Sequence, residues 1–213
     1  MNDMVLQQWH FQATEATCSV VIPDGCRDLL FWAQVGERPR WQITSLDDVA
    51  YEVRSAGGDF IMGYRLKPGT LIDEVGLLSA VKKYEAGHVF IAGAIENYCS
   101  NSQITKQAIL CLGAGSFDVN MAAKDLGMSV RSLQRLMQKT TGKSPGFWAG
   151  LARVRKAARE LANGGNLAQT AVDFGYADQS HMSRDVQHWL GVSPGKIRHE
   201  TQIIQQLQQA GFN

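Results

Sequence analysis

The sequence predicts an α+β protein in two parts: a small amino-terminal β-rich domain that carries some helices, then an all-α domain of two helix-turn-helix units joined by a long helix. Three observations predict it. Short runs of β-branched and aromatic residues, separated by turn chemistry, extend to about residue 66. The apolar spacing then changes to three or four residues. A block of about 25 residues recurs within the carboxyl-terminal half.

Composition narrows the function classes. With 45% hydrophobic and 19% charged residues among 213, a packed chain is expected rather than a disordered one. The opening MNDMVLQQWHFQATE has no basic stretch ahead of an apolar core, and no apolar run approaches the roughly 20 residues of a membrane span. The expected location is the cytosol, with no membrane partner. Cys18, Cys26, Cys99 and Cys111 are never spaced C-x-x-C, so reduced and mostly buried thiols are expected, and nothing in the spacing draws them into a metal site with His10 or His88. No Gly-rich phosphate loop, paired-carboxylate motif or H-E-x-x-H is present, so neither a cofactor nor an enzymatic activity is expected.

The net charge of +1 conceals two halves of opposite sign. Residues 1–103 hold 8 Lys/Arg against 13 Asp/Glu, or −5, and residues 104–200 hold 13 against 7, or +6. A basic carboxyl-terminal half suits a polyanionic partner.

Taken in order, TCSVVI, DLLFWA, RWQIT, VAYEVR and DFIMGYRL between Cys18 and Leu66 read as strands of a small antiparallel sheet or half-barrel, with PDG, VGERP and AGG as turns. From Thr70 to Tyr98, Leu71, Val75, Leu78 and Val81, then Phe90, Ala94, Ile95 and Tyr98, recur at helical spacing, with a break at Gly87 and His88. The domains are expected at 1–100 and 101–213. Helix stops are expected at 113–116, 142–144, 163–166 and 191–194.

The repeat pairs AAKDLGMSVRSLQRLMQKTTGKSPG with TAVDFGYADQSHMSRDVQHWLGVSPG. Ala123, Leu126 and Gly127 answer to Ala171, Phe174 and Gly175 at an offset of 48. After one extra residue, Leu133, Arg135, Gly142 and Ser144-Pro145-Gly146 answer to Met182, Arg184, Gly191 and Ser193-Pro194-Gly195 at an offset of 49. Each copy has the layout of a helix-turn-helix: a small residue at the close approach, a glycine able to end the first helix, and an N-cap for the second in Ser129 or Asp178. The second helices are expected over about Val130–Thr140 and Gln179–Leu190. Their buried stripes are Leu133, Leu136 and Met137, and Met182, Val186, Trp189 and Leu190. The opposite faces carry Arg131, Gln134 and Arg135, and Gln179, Ser180, His181, Ser183 and Arg184, whose side chains have the donors to read base edges or bind phosphates, and Val130 at the start of the first helix is counted with them as a DNA contact. Asp185 is the discordant residue, since it would repel phosphate unless paired or turned away.

Residues 104–200 closely resemble the DNA-binding domain of AraC/XylS-type transcription regulators, and DFGYADQSHMSRDVQHWLGVSPGKIR carries the resemblance. It implies two units joined by the helix SPGFWAGLARVRKAARELANG and set into successive major-groove segments of double-stranded DNA. It also implies a sequence-specific transcription regulator acting as an activator, with RNA polymerase and a second copy of the chain as further partners. A linker of about 20 residues spans roughly 30 Å, against roughly 34 Å for a turn of duplex. VIPDGCRDLLFW and GYRLKPG are similar to the short amino-terminal domain of some of these regulators, which implies control by a small-molecule effector or by dimerisation. Trp9, Trp32, Trp41 and Tyr51 are the residues expected to line an effector pocket, with ordinary core as the competing reading.

Two other functions compete with this one. Some relatives carry a cysteine that accepts alkyl groups from damaged DNA, and Cys26, between Asp24, Arg27 and Asp28, would be its counterpart here. A nucleophilic thiol needs a base or a positive environment, and Arg27 supplies only charge. The other alternative is a module that binds an acidic protein. The tail TQIIQQLQQAGFN is expected to pack on its own domain through Ile203, Ile204 and Leu207, with dimerisation as the alternative.

Overall fold

A computed structural model describes residues 3–84, 89–115 and 117–212. The strands are β1 (Val5–Gln12), β2 (Thr17–Val21), β3 (Arg27–Ala33), β4 (Arg40–Ile43), β5 (Tyr51–Ser55), β6 (Phe60–Leu66) and the short β7 (Leu71–Ile72). They form an antiparallel sheet in the order β1-β6-β3-β4, beside a β2-β5 ribbon. β1 lies before the first expected strand. It pairs with β6 from Val5 opposite Leu66 to Gln12 opposite Phe60, with a bulge between Val5 and Gln7.

Helices α1 (Glu74–Val81) and α2 (Phe90–Tyr98) follow, and β8 (Cys99–Ser100) returns to pair with β7. Asp73 caps α1 by accepting the Gly76 N–H. Both helices cover one face of the sheet, where Leu77, Val81, Ile91, Ala94 and Ile95 meet Leu29, Trp41, Met62, Tyr64 and Leu66. The expected apolar stripe is corrected here: Val75 is 78% exposed, Phe90 is 58% exposed, and Leu71 belongs to a strand. Nearly every position of α1 is apolar or small, so several stripes share the same spacing and only packing selects among them. The expected break at Gly87 and His88 lies outside the described residues, as does Ser116 of an expected stop.

The rest of the chain is helical: α3 (Gln103–Gly113), α4 (Val119–Asp125), α5 (Val130–Thr141), α6 (Pro145–Ala162), α7 (Leu167–Asp173), α8 (Gln179–Leu190), a 3₁₀ turn over Pro194–His199, and α9 (Thr201–Gln208). α6 is the axis. Ser144 caps it at the Phe147 N–H, and Pro145 occupies its first turn, where a missing N–H costs nothing. Its 18 residues extend roughly 27 Å at 1.5 Å per residue. Trp148, Leu151, Ala152, Val154, Ala157, Ala158 and Leu161 are all buried between the flanking helix pairs.

The two parts share a core. Ile22, from the loop after β2, is buried in the same cluster as Trp148 and Leu151, with Val20, Leu46 and Ala50 packed against it. At Gly25 the chain approaches α6 and the tail so closely that a Cβ would stand 2.7 Å from Phe212 Cβ and 3.1 Å from Trp148 Cζ3. Arg155 of α6 is fully buried and donates to the Pro23 carbonyl at 2.9 Å and to the Gln206 carbonyl at 3.4 Å. Burial pulls its guanidinium pKa down to about 10, opposed by the nearby Asp24 carboxylate, so it stays charged at neutral pH. Asp24 in turn pairs with Arg65 of β6 at 3.1 Å.

Ile203 and Leu207 of α9 are buried, as expected for the tail. The same helix also reaches the β-rich part. The Val20 N–H donates to Gln202 Oε1, the Ile22 N–H donates to Gln206 Oε1, and Gln206 Nε2 donates to the Val20 carbonyl, so two amide side chains bond the outer edge of β2. The Phe212 N–H closes the contact on the Asp24 carbonyl at 2.8 Å.

Candidate nucleic-acid interface

The two repeated units are built alike down to their hydrogen bonds. In the first, α4 ends at Gly127, whose φ of 66° is left-handed, with the Met128 N–H returning to the Ala123 carbonyl at 3.0 Å. In the second, α7 ends at Gly175, φ 69°, with the Tyr176 N–H on the Ala171 carbonyl at 2.9 Å. This closure turns the chain sharply while satisfying the last carbonyls of the first helix. Ala123 and Ala171 are buried where the helices cross. Ser129 then accepts the Ser132 N–H, and Asp178 accepts the His181 N–H, to start α5 and α8.

A further correspondence went unread in the sequence. Gln138 and Gln187, 49 residues apart, each donate Nε2 to the carbonyl of the capping glycine, Gly142 or Gly191, at 3.1 and 2.9 Å. Two identical residues at the offset of 49 that relates the other pairs are the sequence signal for this correspondence.

Leu133 and Met137 of α5, and Met182, Val186, Trp189 and Leu190 of α8, are buried against α6 and its neighbours. That packing turns the opposite faces outward. Arg131, Gln134 and Arg135 are exposed on α5, and Val130 is half-buried at its start. On α8, Gln179, Ser180 and Arg184 are exposed, while His181 and Ser183 are half-buried, the Ser183 hydroxyl donating to the Gln179 carbonyl. Among the described residues, Arg131, Arg135 and Arg184 have no carboxylate within ion-pair distance.

Asp185 is turned inward along α8, and its carboxylate accepts from Arg153 Nη2 of α6 at 2.9 Å. The charge that looked discordant is therefore spent within the molecule.

The four aromatics expected around an effector pocket do not converge. Trp9 lies over Gly63 and donates Nε1 to Asp28, and Trp32, opposite Ile61 and Arg40, shares that face of the sheet. Trp41 is on the other face, packed on Phe31 and donating to the Tyr84 carbonyl, and Tyr51 stands 39% exposed in the β2-β5 ribbon. Residues that alternate across a sheet cannot line one cavity from both sides. A cleft of about 240 Å³ lies between Arg27, Leu46, Leu66 and Lys67 of the β-rich part and Thr140, Thr141 and Gly142 at the end of α5.

Cys26 is buried, and burial together with the Asp24 carboxylate pushes its thiol pKa well up, so it is protonated at neutral pH. Among the described residues no group of three His, Cys, Asp or Glu side chains is placed to hold a metal. Among them, too, no helix is long and apolar enough to cross a membrane.

Residues 122–200 match the family model of a helix-turn-helix domain. Among curated proteins, the chain is 31% identical over 77 residues to the bifunctional transcriptional activator/DNA repair enzyme Ada of Escherichia coli. That match covers 36% of this chain and 22% of the relative, so the chain spans about a fifth of that relative's length. Among solved structures, a transcriptional regulator with an AraC-type DNA-binding domain from Chromobacterium violaceum is similar at a TM-score of 0.41 and 22% identity, covering 50% of this chain and 93% of that one. ToxT from Vibrio cholerae is similar at a TM-score of 0.48 and 8% identity, covering 91% and 97%.

Proposed function

We infer, from the premise that residues 122–200 are a helix-turn-helix domain, that the chain is a sequence-specific transcription regulator of the AraC/XylS type which reads double-stranded DNA with both units. One observation carries this. The same capped helix occurs twice on one central helix, and the outward faces present Arg131 and Arg135 in the first copy and Arg184 in the second, without a carboxylate partner among the described residues. A solvated surface would need neither the repetition nor the unpaired cations, whereas a polyanion with two grooves in reach uses both. Val130, Arg131, Gln134 and Arg135 form the first set of contacts, and Gln179, Ser180, His181, Ser183 and Arg184 the second. The reading places the protein in the cytosol with the DNA.

Binding isotherms on a duplex selected from a random library test the assignment. Arg135→Ala and Arg184→Ala are each expected to weaken specific binding by about 1–3 kcal/mol where the arginine touches a base, and by less where it touches phosphate. Affinity is expected to fall steeply with salt, as counterions are released from several phosphates. Unchanged affinity in both variants would remove these helices from the interface. Failure to retain any duplex would favour an acidic protein partner.

Control by an effector belongs to the same reading, and the contact between the halves is where it would act. A small molecule in the cleft beside Gly25 and Thr140–Gly142 would touch the β-rich part and the end of α5 together. The tail's packing onto its own chain leaves a dimer to other surfaces.

The thiols provide a check that separates this reading from an alkyl acceptor. In the folded protein, Cys18, which is exposed, is expected to react promptly with a maleimide. Cys26 and Cys99 are expected to stay unlabelled until denaturant is added, the Cys99 pKa being pushed up to about 11 by burial. Peptide mass spectrometry reads the order of labelling, and prompt modification of Cys26 would revive the repair reading.

A further inference from the structure

The two units are alike in layout but are held to α6 by different chemistry. At the first unit's positions equivalent to Tyr176 and Asp185 stand Met128 and Leu136, both partly buried and packed on the common apolar core. The second unit has a polar ring there. Arg153 Nη2 donates to Asp185 Oδ2 at 2.9 Å, and the Arg153 guanidinium lies 4.5 Å from the centre of the Tyr176 ring. His181 stands edge-on to that ring at 5.2 Å, and its Nε2 is 3.9 Å from the same Asp185 oxygen. Linker helix, turn and outward-facing helix are thus joined through four side chains.

We propose that Asp185 is a positioning residue for the second DNA-reading helix, setting that helix's rotation against α6, and the placement of His181, through its bond to Arg153. The proposal rests on the DNA-reading assignment above and deepens it. Apolar packing of the kind that holds α5 has no preferred direction, so small rotations change it little. A charge-assisted hydrogen bond to a planar guanidinium loses strength over a few tenths of an ångström or a modest change of angle. The Arg153–Asp185 pair is about three-quarters buried on each side, so water competes with it less than at a fully exposed site. His181, one turn before Asp185 on α8, borders both the carboxylate and the Tyr176 ring, so a rotation of α8 moves a proposed base contact directly. Asp185 therefore shapes base discrimination without itself facing DNA.

The test compares the full chain with Asp185→Leu, which installs the residue of the first unit, with Asp185→Asn, which keeps an acceptor without charge, and with the exchanged pair Arg153→Asp plus Asp185→Arg. Each is taken through selection from randomised duplexes, and base preference is scored separately over the two half-sites. For Asp185→Leu, discrimination over the second half-site is expected to fall about tenfold, with the first half-site and the salt dependence unchanged. Asp185→Asn is expected to lie between it and the parent, and the exchanged pair is expected to recover part of the loss. Should the leucine variant fail to fold, the asparagine variant carries the same comparison. Parental discrimination in both single variants, or an equal loss over both half-sites, would overturn the proposal. A parent chain that selects no duplex would overturn the DNA-reading assignment and this proposal with it, a result distinct from a parent that selects and a variant that does not change.

Discussion

Arg155→Ala is expected to lower the stability of the folded chain by about 3–5 kcal/mol, from the loss of two hydrogen bonds given by a charged donor and from the cavity that a large buried side chain leaves. The side chain is fully buried, and its donors satisfy the carbonyls of Pro23 and Gln206, which lie in different parts of the chain. Alanine would leave both acceptors without that donor and open a cavity beside α6. For a chain of this size, each kcal/mol displaces the midpoint by about 2–4 °C, so a fall in Tm of roughly 6–20 °C is expected in thermal melts followed by circular dichroism. Arg155→Met keeps most of the volume and removes the donors. It is expected to cost less, about 1–3 kcal/mol. A change under about 1 kcal/mol for alanine would mean that the guanidinium is not the tie between the halves that its contacts describe.

Gly25→Ala is expected to cost about 2–4 kcal/mol, the second largest effect. Gly25 has a φ of 75°, where a side chain is strained by about 1 kcal/mol, and its new Cβ would meet Phe212 at 2.7 Å and Leu151 Cδ2 at 3.2 Å. Phe212 also holds the Asp24 carbonyl, so displacing it loosens the tail as well. Gly36→Ala separates the two causes, because φ there is 82° with nothing within 4 Å of the added carbon. Denaturant melts of the two variants should differ by the packing part alone, about 1–3 kcal/mol. Equal losses would show that the close approach at Gly25 is not tight. Limited proteolysis of the last helix should be faster in the Gly25 variant only.

The helical half was legible because its signals are local. Gly127, Gly175, Ser129 and Asp178 act within a few residues of where they stand, and the second copy verified each reading of the first. α8 runs over Gln179–Leu190, as its cap and apolar stripe require, and α5 ends one residue later than expected. The junction between the halves left no such trace. Gln202 and Gln206 bond residues more than 180 positions away, and in TQIIQQLQQ they look like a solvated face. Arg155 sits among other cations in ARVRKAARE, where a buried guanidinium and a solvent-facing one are written identically.

The second unit's Asp185 posed a question that local reasoning framed correctly, by requiring it to pair or to turn away. Its partner, Arg153, is 32 residues distant on another helix, so only the fold supplies the answer. The aromatics failed for a geometric reason. Trp32 faces Arg40, and Trp41, the next residue along β4, necessarily points to the opposite side of the sheet; only the pairing register shows which side faces the helices.

The glutamines of α9 do more than fasten two halves together. By taking the N–H and C=O groups along β2, they occupy the valences through which another chain's strand could add. A chain ending before Thr201 would expose that edge, flanked by the apolar Val20, Val21 and Ile22, and would invite edge-to-edge association into aggregates. α9 thus covers, with two side chains, an edge of β2 that would otherwise be open to strand addition.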